Sequence, residues 1–287
     1  MLLQSLDSKG YGASHPARRC ILARFVHLPA AGIDASSVAS AANVSERLAV
    51  RFVRQEITDL GYVSDDHAAQ QLRIIANEND LLVVDKPAEM QCSPSSRFAG
   101  GSVLSGAKAL LGYEALLAHR LDASTSGVLV LCKHKRYAQH VQRELQPGGS
   151  SQKVYIARCN CSASGTSEAS MRITYRIAKA CPSRNSARVT CHSPSSHYGT
   201  EACTDVRVLR RDDRRCEVIV ALKPHTGRTH QLRAHLSSVG LPIIGDTLYG
   251  GAEAGRVMLH AQSLSFHDMS GPKRVFKASE PAFLADT

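Results

Sequence analysis

His119-Arg120-Leu121-Asp122-Ala123-Ser124-Thr125-Ser126-Gly127 runs straight into Val128-Leu129-Val130-Leu131, and the reading of this stretch decides the fold. The apolar run is short, continuous and β-branched, so it predicts a buried strand rather than half a helix. The nonapeptide before it carries the Ser, Thr, Asp and Gly of turns and caps. A loop that enters a core strand holds its side chains firmly. Asp122 beside a guanidinium can stay ionised, and Arg120 can reach a phosphate or a base face. An isolated Arg-x-Asp would be a surface turn with a local ion pair; the whole string is another matter.

Outward from this loop, Ile74-Ile75 and Leu81-Leu82-Val83-Val84 predict two short strands, the second ended by Pro87. Ser102 to Leu111 and His134 to Gln146 read as helices, the latter closed by Pro147-Gly148-Gly149. Val154-Tyr155-Ile156-Ala157 is a further strand. Val206-Arg207-Val208-Leu209 and Val218-Ile219-Val220-Ala221-Leu222 make a hairpin with the charged run Arg210 to Arg215 at its tip. Thr229 to Val239 predicts a helix with Leu232, Leu236 and Val239 inward, stopped by Gly240 and Pro242. Strands predominate without regular βαβ alternation, so the fold class is α+β. Before this domain, Asn43 and Glu46 resemble a capping pair. Leu48, Phe52, Ile57 and Leu60 then recur at helical spacing, with Arg47, Arg51 and Arg54 on another face. Residues 1–71 are an N-terminal appendage of uncertain role, partly helical, and 72–287 form the main domain.

The chain has 287 residues, 43% hydrophobic and 21% charged, with a net charge of +10 and a pI near 9.3. These are globular values, and the basicity points to a polyanion, nucleic acid before membrane. No apolar run reaches transmembrane length. Nine scattered cysteines without a secretory apolar segment favour a reducing compartment. No Cys-x-x-Cys pair occurs, and no metal site is expected. Lys9, Arg18, Arg19 and Arg24 against a lone Asp7 are compatible with an organellar transit peptide. Localisation is therefore expected to be cytoplasmic, with mitochondrial as the alternative.

The string His119 to Gly127 resembles the signature loop of the RluA-type pseudouridine synthases, with His-Arg-Leu-Asp and Thr-Ser-Gly intact. Asn79 to Pro87 resembles that family's opening strand and Lys-Pro turn, and Lys153-Val154-Tyr155 its Lys-x-Tyr strand. Thr226-Gly227-Arg228-Thr229-His230-Gln231-Leu232-Arg233, Pro242-Ile243-Ile244-Gly245-Asp246 and Leu259-His260-Ala261 resemble the late motifs. Glu89 departs from the pattern, standing where the family usually has Gly, which puts the shape of that turn in question.

The resemblance implies a mixed, largely antiparallel sheet with flanking helices and a central RNA-binding cleft. It implies an isomerase that turns specific uridines of structured rRNA or tRNA into pseudouridine by base flipping, glycosidic cleavage and C5–C1′ rejoining, with no cofactor. Asp122 is then the catalytic carboxylate. It attacks C1′, attacks C6 or assists a glycal; the sequence leaves all three open. Arg228 resembles the partner that keeps Asp122 ionised. Tyr155 resembles the residue that stacks on uracil and serves in C5 proton transfer. Arg120 would fill the space left by the flipped base. His119 braces the loop and, with Lys153 and Arg233, borders the RNA. A monomer is expected.

Two other classes compete. A catalytically silent RNA-binding relative would have little reason to keep Asp122, Tyr155 and Arg228 together. A glycosidase pairing Asp122 with Asp85, Glu89 or Asp246 would need aromatic sugar platforms. Aromatic content is 5%, and Trp is absent.

Overall fold

The structure is a computed structural model that describes residues 65–94, 101–161, 168–180 and 188–285. The helix read over 43–61 and the basic stretch before it lie outside the described residues. In chain order the elements are α1 (Asp65–Gln71), β1 (Arg73–Asn77), β2 (Leu81–Lys86), α2 (Val103–Leu111), β3 (Leu116–Leu117), β4 (Ser126–Cys132) and α3 (Lys135–Glu144). There follow β5 (Gln152–Asn160), β6 (Ser170–Lys179), β7 (Val189–His192), β8 (Thr200–Asp212), β9 (Glu217–Pro224), α4 (Gln231–Ser238), β10 (Leu259–His267) and β11 (Lys273–Lys277).

The strands form one 11-stranded sheet in the order β1-β2-β4-β10-β5-β9-β8-β6-β7, with β3 beside β4 and β11 beside β10. Every pairing is antiparallel except β10 with β4. This is the mixed, largely antiparallel α+β fold expected. All seven residues of β4 are buried, as its unbroken apolar run requires. Leu129 and Leu131 pack on one face with α1 and α2, while Val128 and Val130 pack on the other with α3, β10 and β11.

The strand that positions the site is β10. It is inserted between β4, which follows the signature loop, and β5, which carries Tyr155; Ala261 pairs with Gly127 on one side and with Tyr155 on the other. Gly127 has φ +112, and a Cβ there would lie 2.3 Å from the carbonyl oxygen of Ala261. Only glycine permits that approach.

A second cluster fills the space between α4 and β5, β8 and β9, with Leu222, Leu236 and Ile243 at its centre. Tyr155 packs against both this cluster and the one under α2.

The domain boundary read at residue 72 falls between α1 and β1. Ala68 of α1 is fully buried, and α2 approaches so closely at Gly106 that a Cβ would sit 2.9 Å from Ala68 backbone. The charged tip read at 210–215 is shorter than expected. Both hairpin strands continue, to Asp212 and from Glu217, and Cys216 takes a left-handed φ of 51° to close the turn.

Candidate active site

Asp122 sits in a turn, with the Thr125 N–H donating to its carbonyl at 3.0 Å. Its neighbours are fastened on both sides. The Cys92 thiol donates to the Leu121 carbonyl at 3.2 Å and accepts the Leu121 N–H at 3.3 Å. Lys86, fully buried, donates to the carbonyls of Ala123 (2.8 Å), Met90 (2.7 Å) and Pro87 (2.8 Å). An ammonium has three protons, and here each meets a carbonyl. Burial pushes Lys86 down to about 8, opposed by Cys92 and by the nearby charges of Glu89 and Asp122. The turn it closes includes Glu89 at φ 62°, a left-handed conformation that favours glycine.

His119 accepts the Val130 N–H through Nε2 at 3.2 Å. Burial pushes it down to about 3, with Lys153 acting in the same sense. It is a neutral brace between loop and β4.

The opposite wall is the segment Thr226 to Arg233. Gln231 is its hub: Oε1 accepts from the Thr226 hydroxyl (2.7 Å) and the Arg228 N–H (3.0 Å), while Nε2 donates to the Cys203 carbonyl and Thr204 Oγ1, both at 3.0 Å. His230 starts α4 at φ 51°, ψ 21°. The two arginines of the motif lie on either side of this residue and take different partners.

Arg228 does not make the pairing expected of it. It is exposed, and its Nε donates to the Glu201 carbonyl at 3.1 Å. The guanidinium facing Asp122 belongs to Arg233, with Nη1 3.7 Å from Oδ2. Arg233 is buried, forked onto fully buried Asp246 (Nε–Oδ2 2.6 Å, Nη2–Oδ1 2.7 Å), and lies 5.1 Å over the Tyr249 ring. Asp246 thus fixes the cation that meets Asp122.

A second group reaches the same oxygen: His230 Nε2 is 3.9 Å from Asp122 Oδ2. Tyr249 Oη accepts the Val189 N–H at 2.9 Å, which leaves its own proton for His230 Nδ1 at 3.1 Å. That assignment puts the ring proton on Nε2, toward Asp122. Burial lowers His230, while the charge of Asp122 opposes the shift.

Between the walls lies a cavity of about 610 Å³, lined by Asp122, Arg120, His119, Lys153, Tyr155, Arg228, His230 and Arg233 among others. It therefore collects every site residue expected from the sequence, although Arg228 and Arg233 exchange positions relative to Asp122. Burial, reinforced by the charge of Asp122, pushes the Tyr155 phenol up, so it holds its proton. Sequence reasoning named Lys86 and Asp246 only within motif strings, Asp246 also as an alternative glycosidase carboxylate, and gave neither its observed bracing role; Cys92 and Tyr249 received no role.

Cys203, Asp205 and His225 bring ligand-type atoms within 4.8 Å of one another. Asp205 is already forked by Arg172 (2.6 and 3.0 Å) and hydrogen-bonded to His225, so the group is an ion-pair cluster outside the cavity. No helix among the described residues is long and apolar enough to cross a membrane.

The family model described as RNA pseudouridylate synthase matches residues 80–238, more than half of the chain. This chain belongs to the RluA-type RNA pseudouridine synthases. As a member of this family it is an isomerase that converts uridine to pseudouridine in RNA. An uncharacterized RNA pseudouridine synthase, YjbO of Bacillus subtilis, is 33% identical over 221 residues, 73% of this chain and 73% of the relative. The tRNA pseudouridine(31) synthase of Saccharomyces cerevisiae is 29% identical over 61% of this chain, and the match spans 46% of the yeast protein. The ribosomal large subunit pseudouridine synthase D of Yersinia pestis is 32% identical over 63% of this chain and 53% of its own length. In fold, the pseudouridine synthase resembles human RNA Pseudouridylate Synthase Domain Containing 4, with a TM-score of 0.62 at 24% identity over 78% of this chain and 95% of that one.

Proposed function

We propose that the synthase acts on uridines of structured rRNA or tRNA, with Asp122 as the reacting carboxylate. The observation that carries this reading is the approach of both Arg233 and His230 to Oδ2 of Asp122, in a cavity of nucleoside size. Oδ1 is then the oxygen turned to the ribose. A buried, permanently charged guanidinium beside the carboxylate sets the field in which positive charge develops at C1′.

In the reaction the N1–C1′ bond breaks, the uracil turns, and C5 joins C1′. The proton on C5 is lost and N1 takes one up, so the change is an isomerisation that needs no redox partner. Tyr155, half-buried and protonated, offers its ring to the detached base. Arg120, exposed on the loop beside Asp122, can occupy the gap left in the RNA stack. The yeast relative is named for tRNA and the Yersinia relative for the large ribosomal subunit, which keeps both RNAs as candidates for this chain.

The test uses RNA from cells lacking the protein, labelled with tritium at uridine C5. The parent protein should release tritium and Asp122→Asn should release none while still binding RNA, because the change is isosteric and removes the charge. Release by the Asn variant at a comparable rate would refute the assignment.

A further inference from the structure

Between α3 and β5 the chain turns through Pro147-Gly148-Gly149-Ser150. Gly148 has φ +90, and a Cβ on Gly149 would lie 2.2 Å from the Glu144 carbonyl oxygen; this turn closes only with glycines. It forms one wall of a second cavity, of about 100 Å³. Lys153, Pro224 and Thr226 line both this cavity and the large one, so the two lie side by side.

Lys153, Lys223 and His225 line the small cavity, and among the described residues no Asp or Glu does; Asp205 stands opposite Lys223 on the neighbouring strand. His225 bonds through Nε2 to Asp205, which is outside the cavity. Lys153 Nζ reaches the Leu145 carbonyl at 3.3 Å, and burial lowers its ammonium with no carboxylate opposing the shift. A half-buried ammonium with no counter-ion among the described residues carries an uncompensated desolvation cost, which an anion would relieve. The space is far smaller than the cavity at Asp122, on the scale of a phosphate group rather than of a whole nucleotide.

We propose that this cavity is a phosphate subsite, in which Lys153 and Lys223 hold the phosphodiester next to the uridine that enters the large cavity. The inference rests on the RNA-isomerising reading above. The ribose of a flipped uridine carries a phosphodiester on each side, and the shared Lys153 wall brings one of them to the second cavity. Lysines bind phosphate as point charges, and a wall made of glycine backbone leaves that phosphate room.

The test uses an RNA hairpin with a single uridine in its loop, bound to the Asp122→Asn protein across a KCl series. In that background Lys223→Gln should make the slope of log K against log[KCl] shallower by about 0.7, the value for one phosphate contact on a single strand. Lys277→Gln, an exposed lysine on β11, should change affinity without the coupling described next. A neutral methylphosphonate, walked one linkage at a time through the loop, should weaken binding most at one linkage flanking the uridine. Lys223→Gln should erase that position-specific loss.

Equal sensitivity at all linkages, a loss that survives Lys223→Gln, or no binding at the lowest salt would overturn the subsite. Tritium release by the parent protein is scored separately. If isomerisation proceeds without this coupling, the subsite falls and the function stands. If the coupling appears without isomerisation, the function falls and the subsite remains a general RNA-phosphate site.

Discussion

On one wall of the cavity Asp122 is held through its backbone; on the other, Arg233 is held through its side chain. The first wall is fastened by Cys92 on Leu121, Lys86 on Ala123 and His119 on Val130, all close to a strand buried along its whole length. The main chain that carries Asp122 has little freedom whatever the other wall does. The second wall depends on a fork between Arg233 and Asp246 and on a left-handed turn at His230. Rigidity of main chain and rigidity of charge are different resources. The first places an atom, and the second sets the field in which it reacts.

Breaking the second wall should have the largest effect. Arg233→Gln removes the cation facing Asp122 and leaves Asp246 buried without its partner. The expected loss is on the order of 10² or more in kcat, the scale for removing one preorganised electrostatic group, with a lowered Tm. Single-turnover kinetics on the same RNA measure it.

The first wall should yield less. Lys86→Met strips three carbonyls of their donor, and loosening the loop should cost about tenfold in kcat by misplacing Asp122. The pH dependence carries a sign. Lys86 is held near 8, below its ordinary 10.5, so the unfolded chain binds the proton more tightly. Through this group stability rises as pH climbs from about 8 toward 10.5, whereas activity should fall over the same range as the neutral amine drops one of its three donations. Rate and denaturation midpoint, followed from pH 7 to pH 10 in the parent and in Lys86→Met, should part in the parent and lose this divergence in the variant. Parallel profiles in the parent would show that Lys86 does not brace the loop.

Arg228→Gln tests the comparison from outside. Arg228 bonds to Glu201 backbone rather than to Asp122, so the variant should raise KM a few-fold, flatten the salt dependence of RNA binding and keep kcat. A collapse of kcat equal to that of Arg233→Gln would restore to Arg228 the role first expected of it. The smallest effect belongs to Glu89→Gly. Relief of the left-handed turn should stabilise the protein by about 1 kcal/mol, seen in urea unfolding. A loss instead would show that the Glu89 charge near Lys86 and Arg256 outweighs the strain.

What was legible in the sequence follows from this contrast. Apolar pattern located β1, β2, β4, β5, β8 and β9 and the three helices α2, α3 and α4, but not α1, β3, β6, β7 or β11; β10 and the other converging segments were marked by the motif strings. The direction of each side chain within a segment was not legible. Arg228 and Arg233 occupy one motif, on either side of the left-handed His230, yet the first bonds the Glu201 backbone and the second the Asp246 carboxylate. Leu232 and Leu236 were read as the inward face of α4, and Arg233 stands beside Leu232. Its burial became visible only with Asp246 in place, because a buried guanidinium requires a partner from elsewhere in the chain. Lys86 was hidden for the same reason: its three acceptors are carbonyls, which every residue type presents alike.

The insertion of β10 between β4 and β5 has a consequence for biosynthesis. A nascent chain exposed through residue 250 already contains Asp122, Tyr155, Arg233 and Asp246, every reacting and fixing group discussed above. It lacks the strand that spaces Gly127 from Tyr155. The two halves of the cleft therefore come into register only when Leu259–His267 leaves the ribosome and threads between them. Until then the chain holds these groups without the alignment of the two walls that β10 imposes.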